Sequence, residues 1–269
     1  MPALPSAVLL LTLLLPGPAR DGAGWDMALC DRDARLIADR IWLNESGKKF
    51  SGLTHWNRGE RFASLGVGHF IWYPAGQRGP FEESFPRFIA FLEERKVVLP
   101  SWLDSRTPCP WPDRAAFLKE KDSPRTRELR RLLARTVDLQ ARFMAQRLEN
   151  ALPRITRALP EERRALVRRR FLALARRPEG LYALMDYVNF KGEGLSPSER
   201  YRGSGWGLLQ VLEAMRGDGS GPQGLEDFSA SARDVLVRRV LNAPEPKKET
   251  SWLLAWSRRV STYRASSAA

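Results

Sequence analysis

The sequence predicts a predominantly helical α+β domain with one small β-hairpin or sheet. Three observations lead there. Most apolar residues recur at helical spacing, only the stretch from Gly52 to Tyr73 reads as strands, and turn residues interrupt that stretch. With 43% hydrophobic residues over 269 positions, the composition is that of a globular chain able to bury a sizeable core.

The elements follow in order. Ala7 to Leu15 is an apolar run too short to span a bilayer, and Pro16-Gly17-Pro18-Ala19 breaks it before a small residue. Residues 1–19 therefore read as a signal peptide, and the product as periplasmic or secreted. A single domain is expected over residues 25–264, with a helix–hairpin lobe at about 28–112 and a helical lobe at about 113–264. Asp31 to Asn44 has an N-capping aspartate, Asp33 in its first turn, and Ile37, Ile41 and Trp42 at helical spacing, with Gly47 placed to stop it. Gly52–Trp56 and Phe62–Tyr73 read as two strands joined by Asn57-Arg58-Gly59-Glu60. Gly66 and Gly68 inside the second imply a bulge or a close backbone approach.

Phe81–Arg95 reads as a helix and Leu99–Pro112 as a proline-rich loop. Arg125–Leu152 reads as one long helix with a buried stripe of Leu129, Leu132, Leu133, Thr136, Val137, Gln140 and Met144. Glu161–Arg176, Glu179–Asn189, Gly205–Met215, Ala230–Asn242 and Ser251–Tyr263 complete the helices. Only two cysteines occur. In an exported chain Cys30 and Cys109 favour one disulfide, with two free thiols as the alternative.

The net charge of +13 is carried mostly by arginine and suits an anionic envelope surface. A nucleic-acid function is not expected, because the arginines are interleaved with Glu128, Asp138, Glu149, Glu161 and Glu162 as on solvated helices. The two histidines, His55 and His69, have no further ligands at metal spacing, so no metal or cofactor is expected. No Gly-x-Ser-x-Gly elbow is present either.

The candidate chemistry centres on Glu45. A carboxylate at a helix C-terminus is electrostatically poorly placed, which asks for an explanation. Burial beside Trp42, Leu43 and Phe50 would suit a general acid. Glu60 is the only acid between Glu45 and Glu82, and reads equally as a second catalytic carboxylate or as a solvated turn residue. If it faces solvent, Ser64 or Thr54 would orient water or substrate. His69 reads as catalytic or as a structural residue bonded to the hairpin backbone. Trp56 and Tyr73 are candidate sugar-stacking faces or core residues. A second polar cluster, Asp186 to Gly194 followed by Tyr201, holds Asn189 and Glu193. It is either the opposite wall of a cleft, with Asn189 or Glu193 facing Glu45, or a capped helix exit.

Taken together, these motifs resemble the lysozyme-like superfamily. Glu45-Ser46-Gly47 is similar to the Glu-Ser of soluble lytic transglycosylases. Ser64-Leu65-Gly66-Val67-Gly68-His69 resembles the Thr-Ile-Gly-x-Gly-His strand of phage-type lysozymes, and Asp186–Gly194 is similar to a helix exit of chitosanases. The segment from Trp252 to Tyr263 resembles the last helices of phage lysozymes. The resemblance implies a lysozyme-like helical domain that cleaves peptidoglycan or a related amino-sugar polymer as a monomer, by hydrolysis or transglycosylation, with Glu45 as acid and base. A non-catalytic envelope glycan-binding or assembly protein is the other function it allows.

Overall fold

The computed structural model describes residues 29–79, 81–197, 199–245 and 249–264. The expected signal peptide lies outside them. The protein is helical with small antiparallel sheets, an α+β architecture. No described helix is long and apolar enough to cross a membrane.

Helix α1 (Asp31–Ser46) buries Ala34, Ile37, Ala38 and Ile41 and packs on α5 (Val137–Arg157) and α7 (Pro178–Lys191). Gly47 ends it in the left-handed region, its N–H on Leu43 O at 2.9 Å. A 3-10 turn, Phe50–Leu53, then leads into β1 (Thr54–His55), β2 (Ala63–Leu65) and β3 (Phe70–Trp72), which form an antiparallel sheet in chain order. The expected second strand is thus two strands, because Gly66 to His69 turn the chain back. Gly66 sits at φ +71°, and a Cβ there would come within 2.2 Å of Gln140 Oε1, the atom that accepts from Val67 N at 2.7 Å. Gly66→Ala is therefore expected to cost about 1–3 kcal/mol, read as a lower urea midpoint.

Register divides the sheet faces. Ala63, Leu65, Phe70 and Trp72 enter the core, whereas Ser64, paired with His55 and Ile71, lies on the other face. Helix α2 (Phe85–Glu94) starts four residues later than expected, with Pro86 in its first turn, and covers the sheet with Phe85, Phe88 and Ile89.

A short helix, α3 (Arg114–Lys119), capped by Asp113, was not expected. The expected long helix is two: α4 (Pro124–Arg135) and α5 meet at Thr136, whose hydroxyl donates to Leu132 O at 2.8 Å and helps break the ladder there. The expected stripe from Leu129 to Met144 is buried throughout. After α6 (Glu161–Ala175) and α7 comes an unexpected hairpin, β4 (Arg200–Tyr201) and β5 (Ser204–Gly205), turned by Arg202 and Gly203 at positive φ. Helix α8 (Leu208–Ala214) leads to α9 (Gly221–Asn242), which begins nine residues before the expected Ala230, with Pro222 tolerated in its first turn. Helix α10 (Thr250–Ser261) packs on α9.

The expected disulfide is absent, and both thiols are free. Cys30 is exposed and caps α1, its sulfur accepting from Asp33 N at 3.4 Å. Cys109 is buried at a bridge to Pro74 and bonds Trp111 O at 3.7 Å. Each sulfur has its own local partner. Burial raises the Cys109 thiol to about 12. Alkylation at neutral pH is expected to label one thiol in the native protein and two in denaturant.

Candidate functional site

The last turns of three helices meet at one point. Asn44 and Glu45 come from α1, Asn189 from α7 and Arg259 from α10. Helix C-termini carry partial negative charge, and two carboxylates are added there, so the arrangement requires a cation. Arg259 supplies it. Its Nε donates to Asp186 Oδ2 and its Nη2 to Asp186 Oδ1, both at 2.9 Å, and Nη2 also bonds Glu45 Oε1. Burial works against the Arg259 charge, but Asp186 and Glu45 more than offset it and hold the guanidinium well above its ordinary range.

Helix α7 is spaced for this task. Tyr182, Asp186 and Asn189 fall at i, i+4 and i+7 on one face. Asp186 is fully buried and also accepts from Tyr263 OH at 2.6 Å and Asn44 Nδ2 at 3.4 Å. Tyr182 OH lies 2.7 Å from Asn44 Nδ2 and 2.6 Å from Thr262 Oγ1. Burial, reinforced by Asp186, raises both phenols, Tyr263 strongly.

Glu45 keeps 10% of its side chain exposed. Besides Arg259, Oε1 accepts from Asn189 Nδ2 at 3.3 Å, and Oε2 lies 3.4 Å from His69 Nε2. His69 reaches it from the Gly66–His69 turn with φ +46°, a strained value for a non-glycine residue. His69 and Asn189 also line a cleft of about 190 Å³ between the sheet and helices α5 and α7, with Ile71, Ser84, Met144 and Leu148. Glu45 thus contacts one residue of each wall, His69 and Asn189, without lining the cleft itself.

Sequence-expected residues fall into three groups. Glu45, His69 and Asn189 are brought together. Ser64 is 4% exposed and shares its sheet face with the cleft-lining Ile71. Glu193 follows the end of α7 and is forked by Arg154 rather than bonded to Glu45. Its carbonyl accepts from Leu209 N at 3.0 Å, and Gln210 ties the neighbouring glycines, accepting from Gly207 N at 2.9 Å and donating to Gly194 O at 3.2 Å.

The others are elsewhere. Thr54 is buried, its hydroxyl accepting from Arg130 Nε at 2.7 Å. Tyr73 is buried and donates to Phe81 O at 3.3 Å. Trp56 and Glu60 line a different pocket of about 550 Å³, with Arg61, Arg78 and Arg114. Trp56 Nε1 donates to the Glu60 backbone at 2.9 Å, while Glu60 Oε2 is buried without a hydrogen-bond partner among the described residues. The structure does not bring Glu60 to Glu45. Tyr201 donates to Glu249 at 3.0 Å, within an Arg239–Glu249 pair packed by Trp206 and Trp256.

The residues that sequence reasoning missed are Arg259 as the clamp and Asn44, Tyr182 and Tyr263 as its supports. One signal was available. Asp186 is a lone acid inside the apolar run Leu181–Val188, and such a residue needs a buried cation.

Lys191, beside this cluster, lies 3.5 Å from the Trp256 ring centroid. Burial lowers its ammonium to about 6, with Arg239 and Arg259 adding to the effect and Glu249 opposing it. The ordinary value is about 10.5. Between those values the unfolded chain holds a proton that the folded chain lacks, so this group makes stability rise with pH and fall as pH drops toward 6. Lys191→Met is expected to remove that slope, by at most about 1.4 kcal/mol per pH unit, in urea midpoints taken from pH 6 to 9.

Among the described residues no group of three or more His, Cys, Asp or Glu side chains is placed to hold a metal ion. Compared with known proteins, the chain matches no family model, no curated protein and no solved structure.

Proposed function

We propose that this chain is an exported glycan-cleaving enzyme, a glycosidase or lytic transglycosylase acting on peptidoglycan or a related amino-sugar polymer, with Glu45 as general acid and base. The observation that carries this reading is the position of Glu45. It is a nearly buried carboxylate at a helix end, held by His69 from one wall of a cleft and Asn189 from the other. The resemblance of Glu45-Ser46-Gly47 and Ser64–His69 to lysozyme-like motifs points the same way.

One guanidinium stands between two acids, and Asp186 takes two of its hydrogen bonds. A proton on Glu45 leaves the Glu45–Asp186–Arg259 group neutral. Delivered to the glycosidic oxygen, that proton allows the bond from this oxygen to the anomeric carbon to break. Arg259 and Asn189 then steady the carboxylate. With Glu60 in another pocket, the path that needs fewest groups has a hydroxyl of the substrate attack the anomeric carbon and give its proton back to Glu45, closing an anhydro ring.

A second reading, a glycan-binding or assembly protein without catalysis, is favoured by one observation: both Glu45 oxygens already have partners. Purified sacculi incubated with the protein across a range of pH, with mass analysis of what is released, separate the two. Soluble fragments, anhydro-ended for transglycosylation, are expected. Binding without release would leave the second reading, and neither binding nor release would remove both.

A further inference from the structure

The cleft beside Glu45 contains a cation that no described residue neutralises directly. Arg147 lines it from α5, on the helix face it shares with Met144 and Leu148, three positions before it and one after. Four charged groups act on it, and all have other engagements. Glu82 is paired with Arg87, and Glu193 is forked by Arg154. Three guanidinium groups thus face two carboxylates, and Arg147 is the one left over. Among the described residues it has no hydrogen-bond or ion-pair partner. Burial depresses its charge, Glu82 and Glu193 support it, and Arg87 and Arg154 oppose it. A half-buried guanidinium without an acceptor is costly, and its planar fork matches a carboxylate.

We propose that Arg147 is a specificity residue that binds a carboxylate carried by the glycan lying in the cleft, so that the preferred substrate is an acidic rather than an uncharged amino-sugar polymer. The inference rests on the glycan reading above and deepens it. His69 and Asn189 line the same cleft and hold Glu45, so a sugar carboxylate on Arg147 fixes which residue of the polymer lies beside the acid. Two sources supply such a carboxylate: the lactyl ether of N-acetylmuramic acid and the C6 acid of a hexuronate. An uncharged N-acetylglucosamine chain leaves the Arg147 charge unmet.

The test is calorimetric titration of wild type, R147Q and R147K with three oligosaccharides of equal length. One contains only N-acetylglucosamine, one alternates it with N-acetylmuramic acid, and one contains hexuronate. Wild type is expected to bind one acidic oligomer about tenfold or more tighter than the uncharged one, and the arm that shows the preference identifies the carboxylate. R147Q should bring that oligomer down to the affinity of the uncharged one, and R147K should recover part of the gap. Because Arg147 has no hydrogen-bond or ion-pair partner among the described residues to lose, R147Q should unfold at a urea concentration no lower than wild type. Equal binding of all three by wild type, or a preference intact in R147Q, overturns the inference and leaves the glycan reading standing. No binding of any oligomer removes the glycan reading and the inference with it.

Discussion

Replacing Glu45 by glutamine is expected to lower fragment release from sacculi by about 10²–10⁴-fold, the range for losing a positioned general acid, while leaving the fold intact. Glutamine keeps the shape of the side chain and one carbonyl oxygen for Arg259 and Asn189, but it has no proton to give and none to take back. Arg259 retains its fork to Asp186, so no buried charge is stranded and the urea midpoint should move little. Binding to sacculi should survive, because the cleft walls are unchanged. A variant that releases fragments as fast as wild type would falsify Glu45 as the acid. A positioning role for His69 is tested by a separate variant, since His69→Asn should lower release by a smaller factor than Glu45→Gln does.

Much of the framework was legible in the sequence because it depends on local signals. The buried stripe from Leu129 to Met144 and the stop at Gly47 rest on periodicity and on the need of one residue for positive φ. Legibility failed where a local pattern was overridden by something local but subtler. Apolar spacing runs through Thr136 unbroken, yet a β-branched hydroxyl there bonds back to Leu132 O and two helices result. Phe62 to Tyr73 alternates like one strand, yet the glycines that suggested a bulge are a complete turn. The two-residue strands β4 and β5 are too short for any alternation to show.

The site was legible in part for a different reason. Glu45 and His69 drew notice through their neighbours in sequence, and Asn189 through the glycines after it. The contact between Glu45 and Arg259 joins residues 214 positions apart, and no spacing rule reaches that far. Trp56, Thr54 and Tyr73 were plausible cleft residues by type, but side-chain direction decided against them. Trp56 turns onto Phe117, and Thr54 turns into the core to meet Arg130. The disulfide expectation failed similarly, since a cysteine pair says nothing about distance and one of these thiols serves as a helix cap.

Arg259 is the residue whose loss should cost the most stability. Its removal leaves Asp186 fully buried with, among the described residues, Tyr263 OH and Asn44 as donors, and leaves Glu45 to Asn189 and His69. Removing one member of a buried ion pair typically costs about 3–5 kcal/mol, mostly from the charge left behind, and Arg259→Met is expected to fall in that range by urea unfolding. The companion Asp186→Asn should cost less, because Glu45 remains to accept from Arg259. Combining the two should cost less than the sum of the single changes, since the second substitution removes the charge that the first stranded. A strictly additive double mutant, or an Arg259→Met protein as stable as wild type at neutral pH, would mean that the clamp seen between α1, α7 and α10 does not hold these helix ends together.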